Sequence, residues 1–386
     1  MAPFKRMLEI DLPGRQSAFL WGPRKTGKTT YLRAAFPDSL YFDLLKTDLF
    51  LEFIRRPALL RERILAADPV RVSEPVIIDE VQKVPSLLDE VHWLIENRHL
   101  RFILCGSSAR KLKRGKANLL GGRAWRYEMR PLVSAELGEF GLLDALNRGL
   151  IPAHYLSFNY RKSLQGYITD YLKEEVFDEG LTRNMPAFSR FFDAMAYSHG
   201  ELTNYANIAR ECGVDAKTVR EYYQILIDTL LGVMIEPYKR RQERQVIIKA
   251  GKFYLFDVGV AGAITKRQLS EERGEQFGKA LEHFILMEIL AHRGYAGLDH
   301  DVNFWRTKSG FEVDFILGRG EVAIEVKGAT RVDGRDLRPI RAFVQEHRPK
   351  KAIVVCNESA ARSTEGITIL PWRQFLRMLW QGEILS

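Results

Sequence analysis

The sequence predicts an α/β chain of two to three domains, with parallel sheet at the N-terminal end and a second α/β domain at the C-terminal end. Three observations carry this expectation. Gly22-Pro-Arg-Lys-Thr-Gly-Lys-Thr29 lies between a short apolar strand, Ala18-Phe-Leu-Trp21, and an amphipathic helix that continues to Phe36. Pro75-Val-Ile-Ile-Asp-Glu80 reads as a strand buried on both faces that ends in two adjacent acids. From residue 275 onward the pattern runs helix, three strands, helix, strand, then a closing strand and helix.

Composition narrows the class. With 386 residues, 46% hydrophobic and 28% charged, the chain is an ordinary globular protein with enough length to bury real cores. No run of 18 apolar residues exists, and Asp11, Pro13 and Arg15 interrupt any leader-like stretch. A cytoplasmic protein without a membrane partner is expected. Cys105, Cys212 and Cys356 lie far apart, with neither metal-ligand spacing nor an even-numbered framework. The net charge of +9, from 58 basic and 49 acidic residues, points weakly toward a polyanionic partner.

The first stretch reads Gly-x4-Gly-Lys-Thr, the Walker A pattern, placed where a strand must turn tightly into a helix. Gly22, Pro23, Arg24, Lys25, Thr26, Gly27, Lys28, Thr29 and Thr30 are therefore expected to wrap the phosphates of ATP. Lys28 would reach the β- and γ-phosphates, and the Thr29 hydroxyl would ligate Mg²⁺. The acid pair makes a Walker B strand, in which Asp79 would serve Mg²⁺ and Glu80 would orient and polarise the attacking water. A further strand, 101–105, ends in Gly106-Ser107-Ser108, so Ser107 is expected to sense the γ-phosphate. Between Arg101 and Arg130 stand nine basic residues and one acid. Arg123, on the Gly121-Gly122 turn, could act as an arginine finger on a neighbouring subunit's nucleotide. Arg110, Lys111, Lys113, Arg114 and Lys116 could face DNA in a central pore or form a solvated basic loop.

Taken together, Gly-Pro-Arg-x-x-Gly-Lys-Thr, Ile-Asp-Glu-Val-Gln-Lys-Val-Pro (78–85), Gly-Ser-Ser-Ala (106–109), Leu-x-Gly-Arg (120–123) and Pro-Leu-x-x-x-Glu (131–136) resemble a prokaryotic AAA+ ATPase family. That resemblance implies an oligomeric ATPase with active sites between subunits, followed by a winged-helix segment and a C-terminal domain of restriction-endonuclease-like fold. The expected domains are a P-loop core (1–135), a helical lid (136–190), a winged helix-turn-helix (191–265) and the nuclease-like domain (270–386).

In the middle segment, residues 167–176 carry apolar side chains at three- and four-residue spacing, which suits a lid on the nucleotide core. Residues 202–231 fit a helix-turn-helix: small Ala209 at the helix crossing, Gly213 for the turn, Val219 packed inward and Asp215 capping the second helix. The stretch 236–252, with six basic and two acidic residues, could be a wing that meets phosphate or a packing element. At the C-terminal end the element order is that of the PD-(D/E)XK nucleases. The period of two along a strand sends Glu325 and Lys327 to one face, and a neighbouring hairpin strand would bring Asp314 alongside. Two carboxylates and a lysine around one point can hold Mg²⁺ or Mn²⁺ and activate its water. Glu282 on the preceding helix matches the extra acid this superfamily often uses.

The combined expectation is an Mg²⁺-dependent ATPase, a ring-like homo-oligomer such as a hexamer, that engages DNA and couples ATP hydrolysis to a metal-dependent nuclease. Branched DNA such as Holliday junctions enters by analogy of fold alone. The competing expectation is a nucleotide-switched DNA-binding or signalling protein whose nuclease-fold domain is inert.

Overall fold

The computed structural model describes residues 4–107, 110, 120–172, 184–239 and 250–385. Ser108, Lys111, Lys113, Arg114 and Lys116, part of the expected lid (173–183) and most of the expected wing (240–249) lie outside them. Contacts divide the chain into two units, Met1–Pro131 with Asp228–Leu231, and Leu132–Ile227 with Gly232–Ser386.

The first unit is built on five parallel strands: β1 (Ser17–Trp21), β2 (Tyr41–Asp43), β3 (Val76–Asp79), β4 (Phe102–Gly106) and β5 (Ala124–Glu128). Their spatial order is β2-β3-β4-β1-β5. β1, β3 and β4 are buried along their whole length, as their apolar runs require when helices cover both faces of a parallel sheet. α1 (Lys28–Ala35) follows β1 directly, and α2 (Leu87–Arg98) sends Leu87, Leu88, Val91 and Leu94 into the core with Phe19, Ile78 and Leu104. Because β4 lies between β1 and β3, the ends of all three strands open at one edge of the sheet. Ligands of open α/β sheets bind at that carboxyl edge.

The second unit contains a mixed sheet of eight strands in the order β12-β13-β11-β10-β9-β8-β6-β7. Its strands are β6 (Gly232–Pro237), β7 (Lys252–Leu255), β8 (Val302–Arg306), β9 (Glu312–Leu317), β10 (Val322–Val326), β11 (Lys351–Cys356), β12 (Arg362–Thr364) and β13 (Ile367–Pro371). β8, β9 and β10 form an antiparallel meander, after which β10, β11 and β13 run parallel. Around this sheet, α3 (Leu142–Arg148) packs on α6 (Val258–Ile264) and α7 (Glu275–Tyr295). The segment expected as a lid on the nucleotide core thus finds partners inside the second unit. α7 buries Phe277, Leu281 and Phe284 and packs on β10, while α8 (Arg338–His347) packs on β9 and β10. α9 (Trp372–Trp380) closes the chain against α7.

The helix-turn-helix pattern folds as a pair of helices, α4 (Tyr205–Cys212) and α5 (Ala216–Asp228). Gly213 takes φ 66° at the end of α4, a conformation that costs other residues steric strain. Val219 is fully buried, and the Asp215 carboxylate accepts from the Thr218 N–H at 2.7 Å, capping α5. The following hairpin, β6 with β7, joins the eight-stranded sheet through β6 and β8.

Candidate functional sites

At the carboxyl edge of the first sheet, the loop after β1 wraps closely on itself. A Cβ on Gly22 would stand 2.3 Å from the Met129 carbonyl oxygen, so the backbone passes where no side chain fits. Gly27 takes φ 94° just before α1. The Thr26 hydroxyl donates to the Pro23 carbonyl at 2.8 Å, and the buried Lys28 ammonium donates to the carbonyls of Gly22 (2.6 Å) and Pro23 (3.0 Å). Arg24, Lys25, Thr29 and Thr30 are exposed at the same loop. Asp79, at the end of β3, accepts from the Thr29 hydroxyl at 2.7 Å and from the Tyr41 hydroxyl at 2.6 Å. Burial, then the neighbouring Asp79 charge, raises the Tyr41 hydroxyl far above its usual pKa, so it stays a donor to that carboxylate. These groups fit a magnesium nucleotide: a hydroxyl and a carboxylate already meet where a P-loop threonine and a Walker B aspartate share the ion.

Glu80 and Ser107 also meet, through a residue the sequence reading passed over. Gln82 donates from Nε2 to Glu80 Oε2 at 2.5 Å and to Ser107 Oγ at 3.2 Å, and all three side chains are buried. A side chain on Gly106 would strike Gln82 Oε1 at 2.2 Å, which explains the glycine before Ser107. Glu80 adopts φ 59°, unusual for a residue with a Cβ, at the turn that aims its carboxylate. Arg6 is a second unforeseen member. It donates to the carbonyls of Thr26 and Arg130, both at 2.7 Å, and so braces the phosphate loop from the N-terminal segment.

Arg123 stands elsewhere. Its carbonyl accepts from Ser17 N at the start of β1, and its guanidinium pairs with Glu96. That hydrogen bond, then the charge behind it, lowers the Glu96 pKa. β1 carries five residues from that point to the phosphate loop, roughly 17 Å of strand, so Arg123 cannot serve the nucleotide of its own subunit.

In the second unit, β9, β10 and α7 bring the four expected residues to one pocket. Asp314 Oδ2 accepts from Val326 N at 2.8 Å, which sets it beside Glu325, and Lys327 Nζ lies 2.6 Å from Glu325 Oε1. Glu325 Oε2 is buried without a hydrogen-bond partner among the described residues. Glu282 on α7 accepts from the Tyr254 hydroxyl at 2.5 Å. Burial and then Asp314 push the Glu282 carboxyl up to about 8. Burial raises Asp314 as well, and burial followed by Asp314 raises Glu325 well above the usual range. Burial opposes the charged form of Lys327, but Glu325 and Asp314 outweigh it and raise its pKa. Lys252 and Tyr254, both from β7, complete the pocket and were not singled out for it from the sequence. Lys252 pairs with Glu312 and lies 3.9 Å from Glu282 Oε1. No three His, Cys, Asp or Glu side chains among the described residues are grouped to hold a metal ion. Two carboxylates, Asp314 and Glu325, with one unpartnered buried oxygen, nevertheless form a donor pair of the hard-oxygen kind that Mg²⁺ or Mn²⁺ takes.

Comparison with known proteins bears on the domain that holds the first of these sites. Residues 14–138 match a family model described as an AAA domain. This segment is an AAA-type ATPase domain. Downstream of it, residues 140–271 and 277–375 match two models described as domains of unknown function, DUF8612 and DUF4143. Two curated proteins align along most of the chain: uncharacterized protein Rv2008c of Mycobacterium tuberculosis and uncharacterized protein Mb2031c of Mycobacterium bovis. Each is 24% identical over 391 residues, covering 95% of this chain and 82% of its own length. The AAA domain implies nucleotide binding, with magnesium as its partner ion, and hydrolysis. Among the described residues no helix is long and apolar enough to cross a membrane.

Proposed function

We propose that the chain is an ATPase that acts on DNA, with the second unit cutting phosphodiester bonds in a metal-dependent reaction. The convergence of Asp314, Glu325 and Lys327, with one buried Glu325 oxygen left unpartnered, carries this reading. The sequence order of helix, antiparallel hairpin, helix and parallel strand around that pocket agrees with a restriction-endonuclease-like domain.

In the ATPase half, Mg²⁺ would supply charge neutralisation at the nucleotide's phosphates when bound. Thr29 and Asp79 would hold that ion, the latter kept in place by Tyr41. Lys28 exchanges its loop carbonyls for phosphate oxygens, and α1 points its N-terminal N–H groups at them. Glu80, oriented by Gln82, polarises the attacking water, and Ser107 shares the same amide, so a change at one is felt at the other. Arg123 acts in a homo-oligomer from the neighbouring subunit, after release from Glu96.

In the second unit, a divalent ion would, when bound, supply water activation and charge stabilisation. Asp314 and Glu325 would ligate it, Lys327 faces the reacting phosphate, and Glu282 fixes the far side of the pocket. Cleavage itself is downhill, so ATP serves to move or remodel DNA. Four-way junctions are the first substrate to try, by analogy of fold.

The test is cleavage of labelled four-way, forked, linear duplex and single-stranded DNA with Mg²⁺ or Mn²⁺, with and without ATP. Products should vanish in Glu325→Ala, and dependence on Lys28→Ala would show whether ATP turnover drives them. No cleavage of any substrate, with ATP turnover stimulated by DNA, would leave a DNA-dependent ATPase. Among the described residues no three His, Cys, Asp or Glu side chains are grouped to hold a metal ion, which favours that second reading, in which the nuclease-fold domain only binds.

A further inference from the structure

Lys252 is held in its pocket by backbone on two sides. It pairs with Ile235 of β6, and an isolated bridge joins it to Leu202. Its side chain is 5% exposed, and its ammonium meets Glu312 and Glu282 while lying 5.4 Å from the centre of the Phe304 ring. An ammonium is costly to bury unless carboxylates surround it, and here Glu282, Glu312 and Asp314 all interact with it. Tyr254, two residues along β7, ties Glu282 from the same strand. The remaining charges are shared out as well: Lys327 meets Glu325, and Arg306 meets Glu312 at 2.9 Å.

The carboxylates are spaced for this ammonium. Glu312 pairs with it directly and Glu282 Oε1 stands 3.9 Å from Nζ, while no three of the acids are gathered to hold a metal ion. Yet Glu325 Oε2, in a residue 2% exposed, has no hydrogen-bond partner among the described residues. The pocket therefore has a buried oxygen to offer and a resident positive charge that opposes any second cation. We propose that Lys252 is a built-in counter-cation, and that a divalent metal binds at Asp314 and Glu325 only in competition with it. The inference rests on the reading of those two acids as metal ligands. Lys252 keeps the fold charge-balanced without metal and sets how much metal the site needs.

The experiment measures Mn²⁺ binding to the full chain, without nucleotide, by electron paramagnetic resonance titration and by metal-dependent melting. Wild type, Lys252→Met, Lys252→Gln and each of these with Glu325→Ala are compared. Removing the ammonium should tighten Mn²⁺ binding at least tenfold and lower the melting temperature without metal. Added Mn²⁺ should then raise it more than in wild type, and Glu325→Ala should abolish the gain. Lys252→Gln keeps a polar chain in place, should Lys252→Met not fold. Glu325-dependent binding that is equal or weaker in the neutral variants would overturn the role of Lys252 and leave the metal site standing. Absence of any Glu325-dependent binding, in wild type and variants alike, would remove both.

Discussion

Glu80 illustrates how a single residue's role is set by its neighbours. Its backbone takes a left-handed turn at the end of β3, and Gln82 then holds its carboxylate beside Ser107. In the role proposed for it, polarising the attacking water, Glu80 would contribute about 10²- to 10⁴-fold in rate. Glu80→Gln should lower ATP turnover by that range in single-turnover assays while nucleotide binding persists; Lys28→Ala should lose the binding itself. These residues were legible because each motif is local: the phosphate loop is one stretch, Asp79 and Glu80 are adjacent, and Glu325 and Lys327 share a face by the period of a strand. Gln82 lay inside a quoted motif without a role, since its two partners are set by the turn after β3. Arg6 had no signal, and Lys252 stood only as the last basic residue of the expected wing. An arginine near the N-terminus or a lysine in a basic stretch looks solvated until the fold shows which carbonyls or carboxylates it faces.

Elements repeat the lesson on a longer scale. The helices and strands from residue 275 onward fall close to where periodicity puts them, because long apolar runs leave few alternatives. β5 and β12 were not foreseen, being edge strands with largely polar, half-exposed patterns. Helix ends make sharp predictions. Asp215→Ala should lower the midpoint of denaturant unfolding, because the Thr218 N–H loses its cap. α7 carries a buried acid, Glu288, which accepts from Ser134 N and Oγ and from Trp380 Nε1, each at 2.7 Å. Burial raises its carboxyl from 4.5 to about 7. A raised acid favours the protonated folded state, so its contribution is complete below pH 4.5 and lost as pH rises through 7. Between pH 5 and 8, wild type should lose roughly 2 to 3 kcal/mol more stability than Glu288→Gln. Equal pH slopes in urea melts would show that Glu288 does not titrate in this window.

For the whole molecule, the position of Arg123 has the largest consequence. It sits at the opposite end of β1 from the phosphate loop, so any part it plays in hydrolysis must come from another copy. Lys28→Ala and Arg123→Ala proteins should each be nearly inactive, and mixing them should restore ATP turnover, because mixed interfaces join an intact loop to an intact arginine. Mixtures no better than their components would dismiss Arg123 as a finger. The sheet of the second unit raises a different matter. Residues 232–255 precede α7 in the chain, yet they supply β6 and β7 and place Lys252 and Tyr254 against the carboxylates. A fragment starting at residue 270 would carry an unprotected β8 edge, ready to pair with its own copies, and a pocket stripped of its ammonium. The last third of the chain is thus no portable cassette: a fusion or transplant that keeps it soluble must bring along the hairpin that lies upstream.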